Sequence, residues 1–267
     1  MTLRWSECLL NKRVVAAICL VVCMCAWQIR AANRWPDERQ AGPFFFHADF
    51  SLQGHRTLVA QMAALQRDLM RTLGIEESRE AVHLFLFSKK STYQNYMKQY
   101  FPSIPYRRAL FVKRRGPGMV FAYANRDFEI DVRHESTHAL LHAVLTYVPL
   151  WLDEGLAEYF EVPPDKRAYD NPHLKVLKRE LFFGITPKIE TLEKIESLEK
   201  MGSSEYRKSW AWVHFMLHGP AAAHDELVRY FDDIENAVPP GKLSDRLRRR
   251  IPDLDRQLAD HFKQWRR

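Results

Sequence analysis

Apolar residues along this chain change their spacing from segment to segment, and each spacing predicts a different element. Leu58, Met62, Leu65, Leu69 and Leu73 recur at steps of three and four, the period of one helical face. Residues 52–73 are therefore expected to form an amphipathic helix ending at Gly74. "AVHLFLF" is an unbroken apolar run and predicts a buried strand, followed by a helix from about Thr92 to Tyr100. "RALFVKR" and "GMVFAYA" predict two short strands bracketing the turn "RGPG". From Phe128 onward the pattern is almost entirely helical. One helix is expected from about Ile130 to Tyr147, stopping before Pro149, and a second from near Leu150 to the Pro163–Pro164 pair. Another is centred on Tyr206 to Leu217, and Leu254, Leu258, Phe262 and Trp265 make a last apolar stripe that reads as core. The fold class implied is α+β: a small N-terminal mixed sheet with helices, then a helical C-terminal half. "RWPDERQAGP" reads as a polar connector ahead of the sheet.

The N-terminus has a different character. "VVAAICLVVCMCAW" (Val14 to Trp27) is apolar and follows Lys12 and Arg13, the layout of a secretory signal. It is short for a membrane span. No clean small-x-small cleavage site follows, and Val22 before Cys23 fits a lipoprotein signal poorly. A cleaved signal peptide and an uncleaved signal-anchor both remain open, with a buried core helix as the third reading. Either secretory reading exports the following domain to the periplasm or beyond, membrane-anchored if uncleaved. The expected division is residues 1–35 as signal or anchor with connector, and 36–267 as the folded domain. All four cysteines lie at or before Cys25, so the domain has no disulfide and no thiolate metal ligand.

Composition narrows the function. The chain has 267 residues, 46% of them hydrophobic and 27% charged, enough for a packed core and too apolar for disorder. Its net charge of +7 is scattered, and "RLRRR" (Arg246 to Arg250) lacks interleaved aromatics. That run reads as a solvated helix face, and nucleic acid is not an expected partner.

The chemistry is concentrated in "DVRHESTHALLHAV" (Asp131 to Val144). His134 and His138, four apart, share one helical face, with Glu135 directly after the first. This is the H-E-x-x-H arrangement in which two imidazoles bind Zn²⁺ and the glutamate is the general base. His142 cannot join the same grip: eight residues of helix separate it from His134 by about 12 Å. It reads as a packing residue or a support for a ligand. The third ligand is better sought in "PLWLDEGLAEYFE" (Pro149 to Glu161), where a second helix returns beside the first. Glu154 is the preferred ligand and Glu158 the substitute, with Glu158 otherwise expected to hydrogen-bond a ligand histidine. His214 and His218 form another i, i+4 pair, but Phe215 stands where the base would be, so core or pocket lining is expected there.

"HESTH" followed by "WLDEGLAEYFE" resembles the gluzincin zinc metallopeptidases, in particular the peptidase MA-like domains related to the catalytic domain of M1-type aminopeptidases. The resemblance covers about Ala81 to Gly219. It implies a zincin-like fold with the active-site helix between the two halves, and a zinc-dependent peptide hydrolase acting on a peptide or protein substrate. It assigns the third zinc ligand to Glu154. "SEYRKSWAWVHFML" (Ser203 to Leu217) is similar to the family segment that supplies a transition-state tyrosine, which places that role on Tyr206; Ser209 stands where the family often has glycine. The aminopeptidases also carry an acidic residue on the strand before the zinc helix, to hold the substrate's free amine. "GMVFAYAN" (Gly118 to Asn125) has none, so cleavage of internal bonds is expected, with this strand pairing to an extended peptide. Glu129 and Asp131 are the remaining candidates for such an anchor.

Overall fold

The computed structural model describes residues 34–266. The apolar segment read as a signal or anchor lies outside the described residues. Within them, no helix is long and apolar enough to cross a membrane.

A five-stranded mixed sheet forms the N-terminal half, in the order β1-β2-β3-β5-β4. The strands are β1 (Asp37–Ala41), β2 (Phe44–Ala48), β3 (Val82–Phe87), β4 (Ala109–Val112) and β5 (Gly118–Tyr123). β2, β3 and β5 run parallel, and β1 and β4 close the two edges antiparallel. Alternation decides what each face meets. Leu84, Leu86, Val120 and Ala122 face a large core with helices α1 (Arg56–Leu73) and α3 (Phe128–Val144). Phe87, Phe121 and Tyr123 face a smaller aromatic core with Tyr93 and Tyr96 of α2 (Lys90–Tyr100).

The predicted helices and the β4–β5 hairpin are present. α1 starts after a 3₁₀ turn at Leu52–His55 and ends at Gly74, whose φ of +70° needs no Cβ penalty. α3 begins two residues earlier and ends three earlier than expected. Two expectations need correction. The connector "RWPDERQAGP" contains β1: its side chains are half-exposed and polar, so no apolar alternation marked it, and it is held by pairing with β2. β5, the "GMVFAYAN" strand, is hydrogen-bonded on both sides by β3 and β4, so it has no free edge for a peptide. That free edge belongs to β4.

The C-terminal half is helical: α4 (Leu150–Phe160), α5 (His173–Phe182), the short α6 (Ile189–Leu192), α7 (Ser203–His218), α8 (Ala221–Glu235), α9 (Leu243–Arg250) and α10 (Leu254–Gln264). α3 lies between the halves and is buried on nearly every side, packed against β4, β5 and α4. Leu254, Leu258 and Phe262 are core, as the stripe predicted. α4 and α7 approach closely at Gly155, where a Cβ would sit 2.7 Å from the Ser209 carbonyl oxygen. Only glycine allows that contact. It sets the helix bearing Tyr206 against the helix bearing Glu154.

Candidate active site

α4 turns back beside α3 after Pro149, whose carbonyl accepts from the N–H groups of Leu152 and Asp153 at 2.9 Å each. The acidic residues of α4 thereby face the histidines of α3. His134 Nε2 lies 3.5 Å and His138 Nε2 3.7 Å from Glu154 Oε2. Both are long for hydrogen bonds. Ligand atoms of a tetrahedral zinc with bonds of about 2.1 Å are about 3.4 Å apart, so the spacing suits three ligands of one ion. Two imidazoles and a carboxylate also match the donor set of a catalytic zinc site with one position left open. Glu158 is not in this group. Its carboxylate pairs with His173 Nε2 at 2.9 Å, which corrects the expectation that it holds a ligand histidine.

That task falls to two residues the sequence reading passed over. Asp153 Oδ1 lies 2.9 Å from His138 Nδ1, and its other oxygen lies 3.1 Å from His142 Nε2. Glu161 Oε2 lies 2.9 Å from His134 Nδ1. Glu161 is hydrogen-bonded to its histidine and Asp153 is a close ionic contact of His138, and each leaves the Nε2 facing Glu154, the placement that orients a metal-binding ring. The buried Arg133 reinforces this by donating to the Glu161 carbonyl and, at 3.1 Å, to Gln61 Oε1 on α1. A periodicity signal existed, because Glu161 is seven residues after Glu154 and on the same helical face. The crosswise pairing comes from antiparallel packing: the earlier histidine of α3 meets the later acid of α4. His142 is the supporting residue it was read to be, stacked on Phe111 at 5.9 Å between ring centres.

Electrostatics follow from this crowding. Burial works against charge on both imidazoles. Glu154 and Glu161 nevertheless raise His134 well above its ordinary pKa, and Asp153 raises His138 to about 9. Burial likewise opposes charge on Asp153, yet the His138 and His142 rings hold its carboxyl well below the usual range. A metal entering here displaces protons, so its affinity weakens as the pH is lowered.

Glu135 stands beside the group. Its Oε2 accepts the Phe111 N–H of β4 at 2.7 Å, tying the carboxylate to the free strand edge. Tyr206, at the start of α7, lines the same cleft as His134, Glu135, His138 and Glu154, a cavity of about 370 Å³. Burial and the Glu154 carboxylate push its phenol pKa up, so it keeps its proton and can donate. Glu129 and Asp131 are both engaged: Glu129 with His55 at 3.1 Å, Asp131 with Arg108 at 2.6 Å and Asn125 at 3.2 Å. Among the described residues, His214 and His218 are not part of a group spaced to hold a metal. His214 hydrogen-bonds His261 and the Ala168 carbonyl, and His218 hydrogen-bonds Tyr159.

No family model matches the chain, and no curated protein matches it in sequence. Among solved structures it is similar to an M1 zinc metallopeptidase from Deinococcus radiodurans, with 15% identity and a TM-score of 0.39 over 85% of this chain and 50% of that one. The chain thus spans about half the length of that protein.

Proposed function

We infer that the chain is a zinc-dependent peptide-bond hydrolase of gluzincin type that cuts internal bonds. The observation that carries this is the grouping of His134, His138 and Glu154, whose ligand atoms lie within 4.8 Å of one another with Glu154 Oε2 3.5 and 3.7 Å from the two imidazole nitrogens, beside a glutamate tethered to the outer strand of the sheet. His134, His138 and Glu154 would hold the ion. A zinc ion there supplies Lewis-acid polarisation of a carbonyl and makes water more acidic.

The other tasks fall to the chain's own groups. Glu135 takes a proton from the attacking water and delivers it to the leaving amine. Tyr206 donates its phenolic hydrogen to the oxygen on which negative charge develops. The outward backbone groups of β4 align an extended substrate across the cleft. Internal cleavage is supported by the engagement of Glu129 and Asp131, which leaves neither free to hold a substrate ammonium. An ammonium left unpaired in a partly dry cleft carries a desolvation cost.

Glu135→Gln tests the reading. It should keep metal and fold but lose at least ~10²-fold in turnover, while the native enzyme cuts a peptide and its N-acetylated form at the same internal bond. Full activity in metal-replete Glu135→Gln would leave a zinc-bearing binding module or another amide hydrolase as the better reading. Loss of cleavage on acetylation, with single residues released from the free form, would make the enzyme an aminopeptidase.

A further inference from the structure

The free edge of β4 is bordered by cavities along its whole length. Arg107, Arg108 and Ala109 line one of about 480 Å³; Arg107, Leu110 and Phe111 line the catalytic cleft; and Phe111, Lys113 and Arg114 line a third of about 680 Å³. Together they make a groove with the catalytic group near its middle.

Cations without an acidic partner stand in this groove and beyond one end of the strand. The sequence around the strand is "RRALFVKRR", with two cations before it and three after. Arg108 is bound to Asp127 and Asp131, and Lys113 to Glu80. No ion pair holds Arg107, Arg114 or Arg115 among the described residues, and all three are exposed. Arg107 is presented by a fixed backbone, since buried Tyr93 donates its hydroxyl hydrogen to the Arg107 carbonyl at 2.9 Å. Arg114 rests over the Phe101 ring at 5.8 Å. Of the acids that share the groove, Glu158 is matched by His173, Glu161 by His134 and Asp131 by Arg108, while Glu135 and Glu154 belong to the catalytic group. Unpaired cations therefore stand in the cleft, at Arg107, and beyond the far end of β4, at Arg114 and Arg115, on either side of the catalytic group.

We propose that this groove selects acidic extended polypeptides, with Arg107 in the cleft and Arg114 and Arg115 beyond the far end of β4 reading carboxylates on either side of the cleaved bond. The proposal rests on the peptide-hydrolase reading above and names its substrate class. Phe111, bonded to Glu135, marks the reaction centre on the strand. The Arg107 side chain lines the catalytic cleft itself, beside Tyr206, while Arg114 lies three residues beyond Phe111, about 10 Å along an extended chain. A substrate strand alongside β4 meets Arg107 close to the cleaved bond and Arg114 with a side chain about three residues from it. Arginine suits the task because its planar fork accepts a carboxylate bidentately. Edge-strand cations also occur as guards against strand pairing between copies, which is the rival outcome.

The test uses the full-length, zinc-loaded protein and three fluorogenic peptides with a common apolar centre. The flanking positions carry Glu, Gln or Lys. Cleavage efficiency should fall in that order, with at least a tenfold gap between Glu and Lys peptides that narrows in high salt. Arg107→Glu and the double change Arg114→Glu/Arg115→Glu should each shrink the gap, and the triple reversal should invert it, with circular dichroism unchanged. Equal rates on the three peptides, or a gap that survives charge reversal, overturns the proposal. So does self-association of the reversed variants with unaltered peptide preference, the result expected of guards. Binding of the same peptides to Glu135→Gln protein is measured by fluorescence anisotropy. A charge preference there with no Glu135-dependent turnover would sink the hydrolase reading and leave the groove's selectivity standing. Glu135-dependent turnover with no charge preference would do the reverse.

Discussion

Asp153 and Glu161 do for the two histidines what the histidines are placed to do for a metal: each fixes a ring so that one nitrogen points at a common centre. Losing such a partner leaves the ligands present but free to turn, and typically costs 10–100-fold in metal affinity. Asp153→Ala is expected to weaken zinc binding by about that factor, read by competition with a chromogenic chelator, because it releases both His138 and His142. Asp127→Ala, a contact of Arg108 at 2.8 Å outside the metal group, should not. Equal affinities in Asp153→Ala and the native protein would remove Asp153 from its positioning role. The four residues His134, Glu135, His138 and Glu154 were legible in the sequence because helical spacing alone brings i and i+4 together, and one proline marks the return of the chain. Their supporting partners were not, because which acid faces which histidine depends on the relative direction and offset of two helices.

Between elements, the most demanding contact is α4 against α7. A methyl group at position 155 would lie 2.7 Å from the carbonyl oxygen and 2.8 Å from the carbonyl carbon of Ser209, both backbone atoms that cannot swing aside. Overpacking of this kind costs about 1–3 kcal/mol. Gly155→Ala should therefore lower stability by that amount in urea denaturation. It should also reduce turnover more than zinc content, since it pushes the helix bearing Tyr206 away from the one bearing Glu154. Native stability in Gly155→Ala would mean that the helices are farther apart than described. The same contact explains a departure noted in the sequence: Ser209, fully buried, faces the glycine of the partner helix, so one small residue on each side suffices. Long apolar-periodic helices and the β4–β5 hairpin were readable because burial imposes their period. β1 was not, since a half-exposed polar edge strand is specified by main-chain pairing, and nothing local distinguishes "DERQA" from a connector. Which strand of the hairpin forms the edge is also a property of the sheet: β5 is paired on both sides and β4 is the outer strand.

At the scale of the molecule, the helical half is built over a cluster of uncharged histidines. Burial pushes His214 down to about 3 and His261 to about 4. An unfolded histidine titrates near 6.5, so below that pH the unfolded chain takes up protons that the folded chain refuses. Stability should consequently fall as pH drops from about 6.5 towards 4, by up to about 1.4 kcal/mol per pH unit for each histidine, with no contribution above pH 7. Urea denaturation at a series of pH values checks the slope, and His261→Gln should make it shallower. Stability that is flat or rising down to pH 5 would show that the cluster carries charge when folded.

The central claim is that one metal is held by His134, His138 and Glu154. X-ray absorption at the zinc edge on protein carrying one equivalent of the ion measures that coordination directly. The expected result is two imidazole nitrogens with oxygen completing the shell at distances of about 2.0–2.2 Å, retained in Glu158→Ala and lost with the metal in Glu154→Ala. An unchanged shell in Glu154→Ala, or zinc lost on Glu158→Ala, would contradict the assignment and move the site to the neighbouring His134, Glu158 and Glu161 group, whose ligand atoms also lie within 4.8 Å of one another.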